Sequence, residues 1–88
     1  MHHKEFLGTA DGLVDERGKE YGDLHANFDR ICTIFYNMTG VNLTPREAAL
    51  FLHAVKLARL RTSPNKADTY LDGINYLAFA GQFATEGL

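Results

Sequence analysis

The stretch Thr44-Pro45-Arg46-Glu47 admits one local structure. A threonine before proline caps a helix whose first position tolerates a missing N–H. The glutamate three residues after the cap reaches back to the cap's own amide. A helix therefore starts at Pro45. Apolar residues recur at three- and four-residue steps through "TPREAALFLHAVKLARLR", and the same period governs "EFLGTADGLVDERG", "DLHANFDRICTIFYNMTG" and "TYLDGINYLAFAGQFA". No block shows the period of two that a half-buried strand requires. The expected fold is all-α: one compact domain over residues 1–88, four helices joined by short loops as in antiparallel bundles.

Each block has its own boundaries and face. In the first, Phe6, Leu7, Ala10, Leu13 and Val14 share helical spacing, and Gly18 is the expected stop. Gly8 and Gly12 each weaken that helix by about 1 kcal/mol, and mark a side where another backbone or a ligand comes close. In the second, Asp23 is the N-cap, Gly40 the end, and Leu24, Phe28, Ile31, Ile34 or Phe35, and Met38 form the stripe. In the third, Ala49, Leu50, Val55 and Leu57 cover a wide surface, which places this helix at the centre. Ser63-Pro64-Asn65 turns the chain. Asp68 or Thr69 then caps a fourth helix with Leu71, Ile74, Leu77, Ala78 and Gly81 on its apolar face.

Composition narrows the function classes. A chain of 88 residues, 45% of them hydrophobic, is globular but near the small end of what folds alone. Association into a homo-oligomer is expected for that reason. A net charge of -2 gives no basic excess, so long nucleic acid is not an expected partner. A small phosphate-bearing ligand needs only two or three basic groups. The single cysteine, Cys32, excludes an intramolecular disulfide and a cysteine-rich zinc site, and fits a packing role in a reducing compartment. There is no apolar run of membrane-spanning length and no signal-peptide core, so the expectation is a cytoplasmic protein without a membrane partner.

Some polar residues are not explained by the helical pattern. Lys56 and Arg59 lie one turn apart within the apolar third helix. Their stems can run along a core edge with the heads in water. Asp68 and Asp72 are also one turn apart, and Asn75 and Tyr76 continue that face. Acids at a helix start are favoured by the macrodipole, which accounts for Asp68 better than for Asp72. Short-loop topology lets Asp72 pair with Lys56 or Arg59, either as structure or to aim a basic group at a ligand. Arg17, Lys19, Tyr21, His25, Asn27 and Arg30 crowd the joint between the first two blocks. No glycine-rich phosphate loop accompanies them, and His25 reads as a surface or capping residue.

The catalytic inventory is thin. Cys32 falls mid-helix on an apolar side, a poor place for a nucleophile. Glu16, Glu20, Asp23, Asp68 and Asp72 are the available carboxylates, but no helix is expected to offer a tight pair of glutamates one turn apart facing Asp72. No catalytic residue, metal ligand or cofactor is assigned.

Taken in order, Arg17, "YGD", Asn27, "TPREAAL", "KLAR" and "DTYLDGINY" resemble a family of small phage-encoded, all-helical proteins of unassigned function. The family pattern of arginine, tyrosine-glycine, asparagine, Lys-x-x-Arg and Asp-x-x-x-Asp-x-x-x-Tyr falls on Arg17, Tyr21, Gly22, Asn27, Lys56, Arg59, Asp68, Asp72 and Tyr76. The resemblance covers roughly residues 14–80. Relatives often carry a tryptophan in the second helix, and this chain has none. The layout is also distantly similar to MazG-like all-α nucleotide pyrophosphatases, although their glutamate-pair motif is missing.

What the resemblance implies is a nucleotide-sized pocket. The first expectation is a phage protein that binds and sequesters a nucleotide-derived immune signal, an ADP-ribose derivative or a cyclic dinucleotide. Arg17, Lys56 and Arg59 would neutralise phosphate, Tyr21 or Tyr76 would stack on a base, and Asn27 and Asp72 would read hydroxyls or orient the basic groups. The alternatives are a MazG-like metal-dependent pyrophosphatase, and a protein-interaction module with a structural polar core.

Overall fold

The computed structural model describes all 88 residues, and its regular elements are four helices: α1 (His3–Tyr21), α2 (Leu24–Thr39), α3 (Pro45–Arg59) and α4 (Ala67–Thr85). Three of them start where a side chain satisfies the first free amides. Thr44 Oγ1 accepts from the Glu47 amide at 3.2 Å and Glu47 Oε1 accepts from the Thr44 amide at 3.0 Å, completing the expected box. Asp23 Oδ2 accepts from the Ala26 amide at 3.1 Å. His2 caps α1 in the same way, with Nδ1 accepting from the Lys4 amide at 3.1 Å.

The fourth start differs from expectation. α4 begins at Ala67 behind Lys66, and no side chain caps it. Asp68 sits in its first turn, where its charge suits the helix dipole. Thr69 is buried and belongs to the packed face.

The end of α1 differs as well. The helix runs through Gly18 and stops at Gly22, whose φ of 79° turns the chain and whose amide bonds the Gly18 carbonyl at 2.9 Å. A mid-helix glycine costs propensity but does not break a helix; a left-handed residue does. Gly40, at φ 75° and ψ 5°, ends α2 in the left-handed helical conformation, whereas Gly22 has a positive φ with an extended ψ of -156°. Gly8 and Gly12 face open space, so neither marks a close approach within this chain.

α3 and α4 together form the centre of the bundle. α4 packs along α3 and also against α1, while α2 packs on α3 and hardly on α1. The cause is residue size. Ala48 and Ala49 of α3 are buried with Ala80 of α4, and Gly73 lies under His53 and Lys56. Such small residues let the two backbones approach closely, leaving another side of α4 for α1. The core closes on Phe28, 2% exposed, which reaches across from α2 to meet Phe79 and Phe83 edge-on at 6.0 and 5.2 Å. Periodicity identified the apolar residues but not all that are covered. Ile34, Met38, Leu57 and Leu77 are exposed, and Ala78 and Gly81 of the expected α4 face are exposed too.

Candidate functional site

The weak contact between α1 and α2 leaves one side of the bundle open. A cleft of about 480 Å³ lies there, lined by residues of α1, α2 and α4 with one from α3. α1 contributes Leu13, Val14, Arg17 and Tyr21. α2 contributes Leu24, Asn27, Phe28 and Ile31, and α3 contributes Leu52. Asp72, Asn75, Tyr76 and Phe79 come from α4. Most of the lining is apolar, with few polar groups, which is the usual make-up of a small-molecule site, and the volume falls in the usual range.

Asp72 organises the polar end. Arg17 Nη1 donates to Asp72 Oδ1 at 2.7 Å, and Lys56 Nζ lies 3.0 Å from Oδ2. One carboxylate thus holds two cations from two other helices, and the group carries one net positive charge. The Asp72 and Lys56 side chains are 13% and 16% exposed, whereas Arg17 is 43% exposed. Burial of the Asp72 carboxyl opposes ionisation, but hydrogen bonds from Lys56 and Arg17 outweigh it and hold its pKa below the ordinary value. Only Nη1 of Arg17 is hydrogen-bonded within the protein, and Arg17 lines the cleft, so the rest of its guanidinium edge is without a protein partner.

Neighbouring bonds fix this arrangement. Asn75 Nδ2 donates to the Ala10 carbonyl at 2.9 Å, pinning α4 to α1. His53 Nδ1 is 2.7 Å from the Gly73 carbonyl, so Nδ1 carries the proton and ties α3 to α4. Arg30 Nη2 donates to the Tyr21 carbonyl at 2.9 Å, a cation at the C-terminal end of α1, where the helix dipole favours it. Tyr76 meets Phe79 edge-on at 6.3 Å, and burial, then the Asp72 charge, raises its phenol pKa.

The seven expected site residues divide. Arg17, Tyr21, Asn27, Asp72 and Tyr76 line the cleft. The Asn27 side chain is half-buried and makes no hydrogen bond within the chain, so its amide is available. Lys56 is outside the lining, held on the far oxygen of Asp72. Arg59 is also outside it, exposed at the end of α3 and without an ion pair. Asn75 lines the cleft although sequence reasoning gave it no role, and His53 was missed. A histidine within an apolar helix and a glycine inside "DGIN" were the available signals for that second contact.

The carboxylates considered for metal-dependent chemistry are dispersed. No group of three His, Cys, Asp or Glu is arranged to hold a metal ion. Asp72 is committed to two cations, and Asp68 is exposed. Cys32 is half-buried against the core, and burial raises its thiol pKa. No helix is long and apolar enough to cross a membrane.

Comparison with known proteins agrees with the sequence pattern. A family profile described as "Domain of unknown function (DUF6378)" matches residues 5–84. The chain is similar to the "Gene 55 protein" of Mycobacterium phage L5, with 32% identity over 72 residues, 80% of this chain. It spans about half the length of that relative, 46%. No solved structure matches.

Proposed function

We propose that this chain, which belongs to the DUF6378 family, binds a nucleotide-derived small molecule in the cleft between α1, α2 and α4. The observation that carries the reading is Arg17, held by Asp72 with most of its guanidinium edge open, in an apolar cleft that also exposes Tyr21, Asn27 and Tyr76. The guanidinium would bind one phosphate group. Tyr21, 54% exposed at the cleft, is free to close on a base, and the Asn27 amide is free to read its edge. An ADP-ribose derivative or a cyclic dinucleotide fits this chemistry. Sequestration of such an immune signal in the cytoplasm of an infected cell is the role we propose, with self-association as part of it. The phage relative supports that setting.

Calorimetry with ADP-ribose, cyclic ADP-ribose and cyclic dinucleotides tests the reading. Binding is expected, and Arg17→Ala should remove it while Arg59→Ala, outside the cleft, weakens it less. Absence of binding to every ligand in the panel overturns it. A second reading is favoured by one observation: both Asp72 oxygens are already paired. The charged group is then a register-fixing network in a protein-interaction module. In that case no nucleotide raises the melting temperature, because only a ligand of the folded state does so.

A further inference from the structure

The chain exposes more surface than a lone globule of its size. A folded monomer of 9.8 kDa is expected to show about 5,200 Å²; this chain shows 6202 Å². The excess, roughly 1,000 Å², is close to the ~800 Å² that each partner contributes to a standard interface. Eight residues of 88 are buried. The shape is extended in the same sense, with a radius of gyration of 13.8 Å where about 12 Å is expected for this length.

Exposed apolar side chains occur on every helix, and α2 with the adjoining edge of α3 carries Ile34, Tyr36, Met38 and Phe51. Ile31, Ile34, Phe35 and Met38 follow the i, i+3, i+4, i+7 pattern of a helix that buries a face. Ile31 and Phe35 turn toward the bundle, and Phe35 meets Phe51 at 6.5 Å between ring centres. Ile34, Met38 and Phe51 are 57%, 76% and 57% exposed. A complete apolar stripe is therefore present, but only one edge of it is used within the chain.

We infer that α2 and the Phe51 edge of α3 form the interface with a second copy of this chain, in a two-fold dimer. A two-fold contact is self-complementary, so one apolar stripe suffices to make both halves. The area supports this occupant, since the surface excess of the whole chain is about what one copy contributes to a standard interface. The cleft lies on the α1 side of α2, and Ile34, Met38 and Phe51 are not among its lining residues. Dimerisation therefore does not depend on the ligand-binding reading.

The test is sedimentation velocity of the full chain at about 100 μM, far above the micromolar range at which the weaker interfaces of this size associate. The wild type should sediment at twice the chain mass. Ile34→Glu and Met38→Glu change exposed positions and should halve that mass with the helical circular dichroism unchanged. Leu7→Glu, on α1 and 60% exposed, should leave the dimer intact. A monomeric wild type overturns the inference. So does dissociation caused by Leu7→Glu, or a dimer that survives both α2 substitutions.

Discussion

Arg17 and Asp72 are 55 residues apart in the sequence and 2.7 Å apart in space. That contact joins α1 to α4 at the cleft, and Lys56 joins α3 to the same carboxylate. Breaking it from the two ends should have unequal effects. Asp72→Asn leaves Lys56, 16% exposed, without a counter-charge. We expect a loss of about 2 kcal/mol, below the ~3–5 kcal/mol of a fully buried pair because Arg17 is partly in water. The melting temperature should fall by roughly 10 °C. Arg17→Met leaves Lys56 on Asp72 and should cost under about 1 kcal/mol. Thermal unfolding checks both, and equal losses would show that Asp72 is not the hub.

Acid should weaken the fold through the same group. The folded pKa of Asp72 is depressed, so its contribution is complete above the unfolded carboxylate pKa, about 3.9. It is lost as pH falls through the folded value. The Glu47 pKa is lowered by hydrogen bonds from the Thr44 backbone and side chain, so it works in the same direction. Urea midpoints measured from neutral pH down to about pH 3 should fall below pH 4. The fall should be shallower in Asp72→Asn. An identical acid profile in that variant would assign the loss to other carboxylates.

His25 and Glu86 make a weaker, surface version of this contact. His25 Nε2 is 2.8 Å from both Glu86 oxygens, and the ring packs edge-on against Phe83 at 5.5 Å. The hydrogen bond that His25 donates to Glu86, then the Glu86 charge, raises the His25 pKa. A raised folded pKa means that the contact stabilises below the ordinary histidine value, about 6.5, and is lost as pH rises through the folded value. An NMR titration of the ring should show a pKa above the ordinary histidine value. Glu86→Gln should return it to the ordinary range; an unchanged titration would show that the contact does not persist in solution.

The glycines of α1 should respond according to backbone conformation. A methyl group at Gly8 or Gly12 meets nothing within 4 Å, and neither has a positive φ. Gly8→Ala and Gly12→Ala should each stabilise the fold by up to about 1 kcal/mol. Gly22, at φ 79°, should lose about 1 kcal/mol on substitution by alanine. Chemical denaturation of the three variants checks the signs. Destabilisation by Gly12→Ala would mean that something packs there in solution, such as another copy of the chain.

The sequence alone determined what depends on near neighbours along the chain. Helix content, the Thr44–Glu47 box, the Asp23 cap and the Gly40 stop were legible because each is an interaction within four residues. Gly18 and the start of α4 were misread for a related reason: composition marks a place where a helix can end, while φ decides whether it does. The resemblance placed Arg17, Tyr21, Asn27, Lys56, Arg59, Asp72 and Tyr76 in one set, of which Lys56 and Arg59 lie outside the cleft, and the Asp72–Lys56 pairing was one of two options that short-loop topology allowed. Only the tertiary structure decided the rest. It made α3 and α4 the central pair because small residues on both let those helices approach closely. It gave both oxygens of Asp72 to Lys56 and Arg17, and left Arg59 outside. The same packing left Ile34, Met38 and Phe51 uncovered. Periodicity shows which residues prefer burial, but which of them are buried depends on how closely neighbouring helices approach, and side-chain volume across the contact sets that distance.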